Sequence, residues 1–206
     1  PAKTLDFDTS SIIKNYTKPK LIEDSQILIG ELKKLSSDNL SKLMKISNKL
    51  GLLNYERYQN WTKDFTLNNS KQSIFCFSGG VYKGLDVDSL SNKDLMYSQD
   101  SIRILSGLHG ILRPFDLIMP YRLEMGTKLK NSRGKNLYDF WGDSVTCLLN
   151  KSLEKNNSDF LLNLASNEYF SVLNPKKIKT NLINVKFLDK KNNDYKIISF
   201  FAKKAR

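Results

Sequence analysis

Histidine occurs once in this chain and cysteine twice, and that scarcity removes several kinds of chemistry at the outset. With His109 alone, and with Cys76 and Cys147 each set in an apolar run (IFCF and TCLL), there is no CxxC or HxxxH spacing to hold a metal ion. No metal site is expected. Both cysteines read as buried free thiols, which suits a reducing cytoplasm. No cofactor motif is present either: SGGVYKG (Ser78 to Gly84) lacks the lysine followed by Ser or Thr that closes a phosphate loop. Long apolar runs are missing too. Without a stretch of about 18 uncharged apolar residues, no membrane-spanning helix is expected. The opening PAKTLDFD is not the basic-then-apolar pattern of a secretory signal. Ser106 and His109 lie three apart with no third partner evident, which is not the arrangement of a nucleophile and its base.

Acidic residues are the other shortage. Twenty-one stand against 33 basic ones, for a net charge of +12. A surplus of that size suits a polyanion, because neutralising phosphates releases counterions and yields affinity without reading sequence. The competing explanation is compositional: Asn and Lys are both abundant, as an AT-rich genome would produce.

What is present is enough for one substantial core in a single domain over residues 1–206. The first twenty residues read as a surface-hugging loop. Ile27, Leu28, Leu32 and Leu35 then recur at helical spacing. Ser37 or Asp38 caps a second helix carrying Leu40, Leu43, Met44 and Leu50, with Gly51 as its stop. After LGLLN, a third helix is marked by Tyr55, Tyr58, Trp61 and Phe65, so residues of about 22–66 form a helical insert. SIFCFS, SIRILS, DFLLNLAS, TNLINVKFLD and, less cleanly, YKIISFFAKK read as strands. Helices over Ser91 to Gln99 and Asn136 to Leu153 separate several of them. Alternation of this kind predicts an α/β fold: a mixed, mostly parallel sheet flanked by helices, with DKKNND turning a final antiparallel pair.

Three apolar runs end in polar or glycine-rich turns, IFCF-SGGVYKG, IRIL-SGLHG and LLNLA-SNEY. Ligands of open α/β sheets bind beyond such strand ends. Arg113-Pro114 and Met119-Pro120 hold extended backbone, from which Arg122, Glu124 and Lys128 project. Arginines so placed suit phosphate or carboxylate. The plainer reading pairs Arg113 with Asp116 and Arg122 with Glu124 as structural ion pairs. A second candidate is LSKLMKISNKLGLLNYERYQNW, which reads as helix, tight turn, helix. Lys42, Lys45 and Lys49 recur on one face and Arg57 follows, an arrangement that could lie on a nucleic-acid backbone. The second glycine usual in such hairpins is absent, and an ordinary helical hairpin with a solvated lysine face competes.

These segments together resemble the YaaA family of peroxide-stress proteins. The matching blocks are PAKTLDF, the Leu43 to Trp61 hairpin, GGVYKGL, LSGLHGILRPFDLIMPYRLEMGTKL, GKNLYDFW, LLNLASNEYF and FFAKKAR, and they span the chain. The resemblance implies an α/β fold peculiar to the family, a basic cleft, a helix–hairpin–helix element, DNA binding and a cytosolic role limiting damage from peroxide and free iron. Carried to matching positions, the cleft would use Lys3, Arg113, Arg122, Glu124, Lys128, Asn167, Glu168 and Lys203. Members usually have a basic and an acidic residue where Ser78 and Gly80 stand, and Tyr where His109 stands. They also usually begin before PAK and continue past KKAR, so both ends are expected to be truncated.

The expected function is therefore non-sequence-specific DNA binding through backbone phosphates, in the cytoplasm, by Lys42, Lys45, Lys49 and Arg57. A cleft of Lys3, Ser106, His109, Arg113, Arg122, Lys128, Asn167 and Lys203 would add anion binding. The rival is an enzyme acting on a nucleotide-like or phosphorylated small molecule, with Glu168, Glu124 and Lys128 as candidate catalytic groups. Direct iron sequestration is a third reading, poorly served by the available ligands. Oligomeric state is not legible.

Overall fold

Polar caps and leucine spacing decide where the helices of the first third begin and which side they bury. The computed structural model describes residues 1–192 and 194–206. Strand β1 (Thr4–Leu5) is followed by a loop stitched to the body from beneath. The buried Lys71 Nζ donates to the Asp6 carbonyl (3.0 Å) and Thr9 Oγ1 (3.1 Å), and Gln72 Nε2 donates to the Ile13 and Asn15 carbonyls. Helix α1 (Ile22–Lys33) buries Leu28, Ile29 and Leu32. Helix α2 (Ser37–Met44) is capped by Ser36, whose hydroxyl accepts from the Asn39 amide at 3.2 Å.

The hairpin turn lies earlier than Gly51. Lys45 takes the left-handed conformation (φ 52°) and closes α2, Ser47 caps the next helix, and α3 runs Asn48–Gln59. Gly51 sits inside α3, where a Cβ would collide with Ser41 Oγ. Glycine is needed there for close helix–helix approach, which sequence reading mistook for a stop. Trp61 and Phe65 follow the helix in a turn yet remain buried in the core that takes Leu32 and Tyr58.

The run SIFCFS is buried as expected but is not a single strand. After β2 (Lys71–Gln72) come a helical turn, α4 (Ser73–Cys76), and β3 (Phe77–Ser78), which pairs antiparallel with β1. Ser73 decides it locally: its hydroxyl donates to the Arg113 and Pro114 carbonyls, and the Ile74 amide to Pro114, drawing the chain out of a ladder. Short apolar runs do not distinguish helix from strand by period. Helix α5 (Gly80–Leu85) and α6 (Asn92–Ser101) follow, the latter with a complete capping box on Ser91 and Asp94.

Strands β4 (Ile104–Ser106) and β5 (Gly110–Leu112) form a tight antiparallel hairpin, and β6 (Leu117–Ile118) pairs with β2. The helix expected over Asn136 to Leu153 is broken by Gly142 (φ 46°) into α7 (Leu137–Trp141) and α8 (Ser144–Lys155). On α8, Val145, Thr146 and Leu149 turn inward and Cys147 faces out. Cys147 is therefore exposed, contrary to expectation; Cys76 is buried.

Strand β7 (Phe160–Asn163) pairs parallel with β8 (Asn181–Asn184), with α9 (Asn167–Phe170) between them. Strands β9 (Asp189–Lys191) and β10 (Asp194–Lys196) pair antiparallel, as DKKNND suggested; Asn193 of that turn lies outside the described residues. The strand expected from YKIISFFAKK becomes β10 and then helix α10 (Ser199–Ala205), which packs on α5 so closely that a Cβ on Gly84 would collide with the Lys204 carbonyl. The architecture is mixed α/β. Among the described residues the strands form five two-stranded pairs, four antiparallel and one parallel, and a mostly parallel sheet is not among them.

Candidate functional site

The segment YRLEMGTKLK, from Tyr121 to Lys130, alternates strictly in burial although it joins no ladder. Tyr121, Leu123, Met125, Thr127 and Leu129 point inward, leaving the even positions to face solvent or its edge. That is the period of half-buried extended chain, here on both arms of a turn at Met125–Gly126 that is closed by the Thr127 amide donating to the Glu124 carbonyl (3.0 Å). Arg122 and Glu124 reach the surface before the turn, Lys128 and Lys130 after it. Tyr58 of α3 fixes the segment by donating its hydroxyl to the Arg122 carbonyl.

On the first arm is a corner of paired charges. The Glu124 carboxylate accepts from Arg122 Nη2 on one oxygen (2.9 Å) and meets Lys3 Nζ with the other (3.2 Å). Glu168, in the first turn of α9, accepts from the Gly126 amide at 2.9 Å. A Cβ at Gly126 would stand 3.1 Å from that carboxylate oxygen, close enough to displace the Glu168 side chain by a few tenths of an ångström. Burial first, then the Glu168 and Glu124 charges, push the Tyr169 phenol well up. The Tyr138 hydroxyl donates to the Glu168 carbonyl at 2.8 Å. Lys3 enters through β1, whose neighbour Ala2 comes within 3.2 Å of the Cβ position of Gly79. The Cβ position of the next residue, Gly80, stands 3.2 Å from Lys203 Cβ on α10. An acidic side chain at position 80 would thus sit beside Lys203; glycine leaves it without that partner.

The structure thus brings Lys3, Arg122, Glu124 and Glu168 together, with Asn167 adjoining on α9. Four of the expected cleft residues, Arg113, Ser106, His109 and Lys128, stand elsewhere. Arg113 donates to Asp116 through its backbone amide (2.8 Å) and Nη2 (2.7 Å), and to the Lys18 carbonyl, the structural pairing anticipated as its plainer reading. Ser106 and His109 are fully buried in the β4–β5 hairpin. The Ser106 hydroxyl bonds Tyr121 (2.6 Å) and accepts from the His109 amide, while His109 Nδ1 shares a hydrogen bond with Ser25 of α1 (3.0 Å). Burial drops the imidazole to a pKa of about 3, so it is neutral near pH 7 and serves the core. Lys128 lies beyond the turn, where it joins Glu31, Lys34, Leu35, Asn39, Leu43, Leu129 and Lys130 around a groove of about 360 Å³.

The lysines of the hairpin differ from all of these. Lys42, Lys45 and Lys49 are exposed and, among the described residues, none forms an ion pair. Arg57 is half-buried and donates to Asn54 Oδ1 (3.4 Å), so it does not share their exposure.

Among the described residues no group of three or more His, Cys, Asp or Glu side chains could hold a metal ion, and no helix is long and apolar enough to cross a membrane. Burial pushes the Cys76 thiol up, which keeps it protonated and unlike a thiolate that attacks peroxide.

A family model described as peroxide stress protein YaaA matches residues 1–206. The chain belongs to this family. Two UPF0246 proteins, from Shewanella baltica (strain OS155) and Shewanella pealeana, are each 52% identical to it over 206 residues. The match covers all of this chain and 80% of each relative. Sequence reading overlooked Gly126, Tyr169, Lys34 and Lys130; the alternation of YRLEMGTKLK was the available signal for the two that lie in that segment.

Proposed function

We propose that this YaaA-family protein acts in the peroxide-stress response by binding DNA through backbone phosphates, without reading sequence, in the cytoplasm. The observation that carries the reading is the exposure of Lys42 on α2, Lys45 at the turn and Lys49 on α3 without ion-pair partners among the described residues, the two helices being held close by Gly51. Unpaired exposed lysines keep their full charge for counterion release, whereas paired ones must first give up a partner. Protein held on DNA would limit damage there when peroxide meets iron. Replacing the three lysines with glutamate is expected to lower affinity for unrelated duplexes alike in a gel-shift titration. Undiminished affinity would refute the role of the hairpin.

A second reading, chemistry on a small phosphorylated ligand, draws support from the corner. Arg122 Nε is buried there without a partner among the described residues, its guanidinium sharing Glu124 with Lys3, and Glu168 has one carboxylate oxygen not engaged by Gly126. In that reading Glu168 is the base and Arg122 stabilises charge. Glu168→Gln separates the readings. It leaves DNA affinity intact in both, and abolishes protection of cells from peroxide only if the corner performs chemistry.

A further inference from the structure

The groove beyond the Met125–Gly126 turn has a build that suits one kind of occupant. Its floor is aliphatic, made by Leu35, Leu43 and the buried Leu129. Its rim carries one acid, Glu31 of α1, and three cations: Lys34 at the end of α1, and Lys128 and Lys130 beyond the Met125–Gly126 turn. Of these, only Lys34 has an ion-pair partner among the described residues, Glu31 at 2.9 Å. The volume of about 360 Å³ is at the small end of ligand sites, enough for a nucleotide-sized unit. An occupant must present an anion to the rim and an uncharged flat or apolar surface to the floor. Paired and stacked bases of a duplex keep their faces inside the helix and offer the groove only phosphates. A single strand offers both. Leu43 and Asn39 come from α2, which also carries Lys42, so the groove adjoins the hairpin lysines rather than standing apart.

We propose that this groove seats a nucleotide of single-stranded nucleic acid, its phosphates on Lys34, Lys128 and Lys130 and its base or sugar against Leu35, Leu43 and Leu129. The strand then continues over α2 towards Lys42. The inference rests on the DNA-binding reading and adds to it a second contact surface and a preference for unpaired strands.

The test is fluorescence anisotropy of a labelled short oligothymidylate, and of a duplex of equal length, titrated with the wild-type chain and with K34Q/K128Q/K130Q over a range of salt. The variant is expected to bind the single strand at least about tenfold more weakly, with a salt slope smaller by about two, since each lost phosphate contact removes roughly 0.7 for single strands. Its duplex affinity is expected to fall less. Leu43→Ser is expected to weaken the single strand with no change in slope, provided its thermal melt shows it folded. Unchanged single-strand binding by the triple variant, alongside weakened binding by K42Q/K45Q/K49Q, overturns the groove and leaves the DNA reading standing. If the wild-type chain binds neither strand nor duplex, the DNA reading falls and takes the groove with it. Displacement of the oligothymidylate by an oligoglutamate peptide of equal charge, at equal concentration, overturns the proposal in favour of an acidic protein partner.

Discussion

The corner at Glu124 and the exposed lysines of α2, its closing turn and α3 both present cations but hold them in opposite states. In the corner, one carboxylate bridges Lys3 and Arg122, and Glu168 is anchored to a backbone amide. Its charges are largely spent on each other. On the hairpin, Lys42, Lys45 and Lys49 face solvent with no acid engaged to them among the described residues. The lesson is that a surplus of positive charge becomes a binding surface only where the fold withholds partners. Counting arginines and lysines in a loop does not reveal that; their neighbours do.

The comparison can be broken most forcefully at Asp116, the buried acid that engages Arg113. It is 1% exposed and accepts from Arg113 and from Thr17 Oγ1 (2.7 Å). Asp116→Ala is expected to destabilise the fold by about 3–5 kcal/mol, because it strands a partly buried guanidinium. DNA affinity of the folded fraction should not change. Urea denaturation with a parallel binding titration checks both, and a loss of affinity without loss of stability would return Arg113 to the binding surface.

A more gradual effect is expected from acid. His109 has a folded pKa of about 3 against 6.5 in the unfolded chain, so below pH 6.5 the unfolded state takes up a proton that the folded state refuses. The stability contribution is complete above pH 6.5 and is lost towards pH 3, at up to about 1.4 kcal/mol per pH unit. His109→Phe should flatten that part of the stability–pH curve, measured by chemical denaturation. An unaltered slope would mean that the imidazole is not held neutral.

The corner itself gives the smallest change. Glu124 is about a quarter exposed, so Glu124→Gln should cost roughly 1 kcal/mol, a few degrees of Tm. It frees Lys3 and Arg122 and should raise DNA affinity a few-fold. A fall instead would show that Glu124 positions the cations for binding rather than occupying them.

The residues most legible in sequence were those whose local rule agreed with the tertiary outcome. Ser91 and Asp94 cap α6 as any such pair would, and Leu28 and Leu32 face inward from α1. The failures come where a distant contact overrode the rule. Gly51 looks like a helix stop, but its purpose is set by Ser41 on another helix. Ser73 bends an apolar run because the carbonyls of Arg113 and Pro114, some forty residues on, accept its hydroxyl. His109 and Ser106 look like site residues beside glycines, yet the hairpin they form folds inward onto α1 and Tyr121. The corner was partly legible because its members lie in three short segments, at Lys3, Arg122–Glu124 and Asn167–Glu168. Tyr169 was missed because only the fold brings it within reach of the Glu124 charge.

The central claim is that unpaired lysines on the hairpin supply the phosphate contacts. It is tested most directly by the slope of log affinity against log salt for a duplex, measured for the wild-type chain and for K42Q/K45Q/K49Q. Each contact to B-form DNA contributes about 0.9 to that slope, so the variant should lose up to about 2.7. Two superimposable slopes would contradict the account.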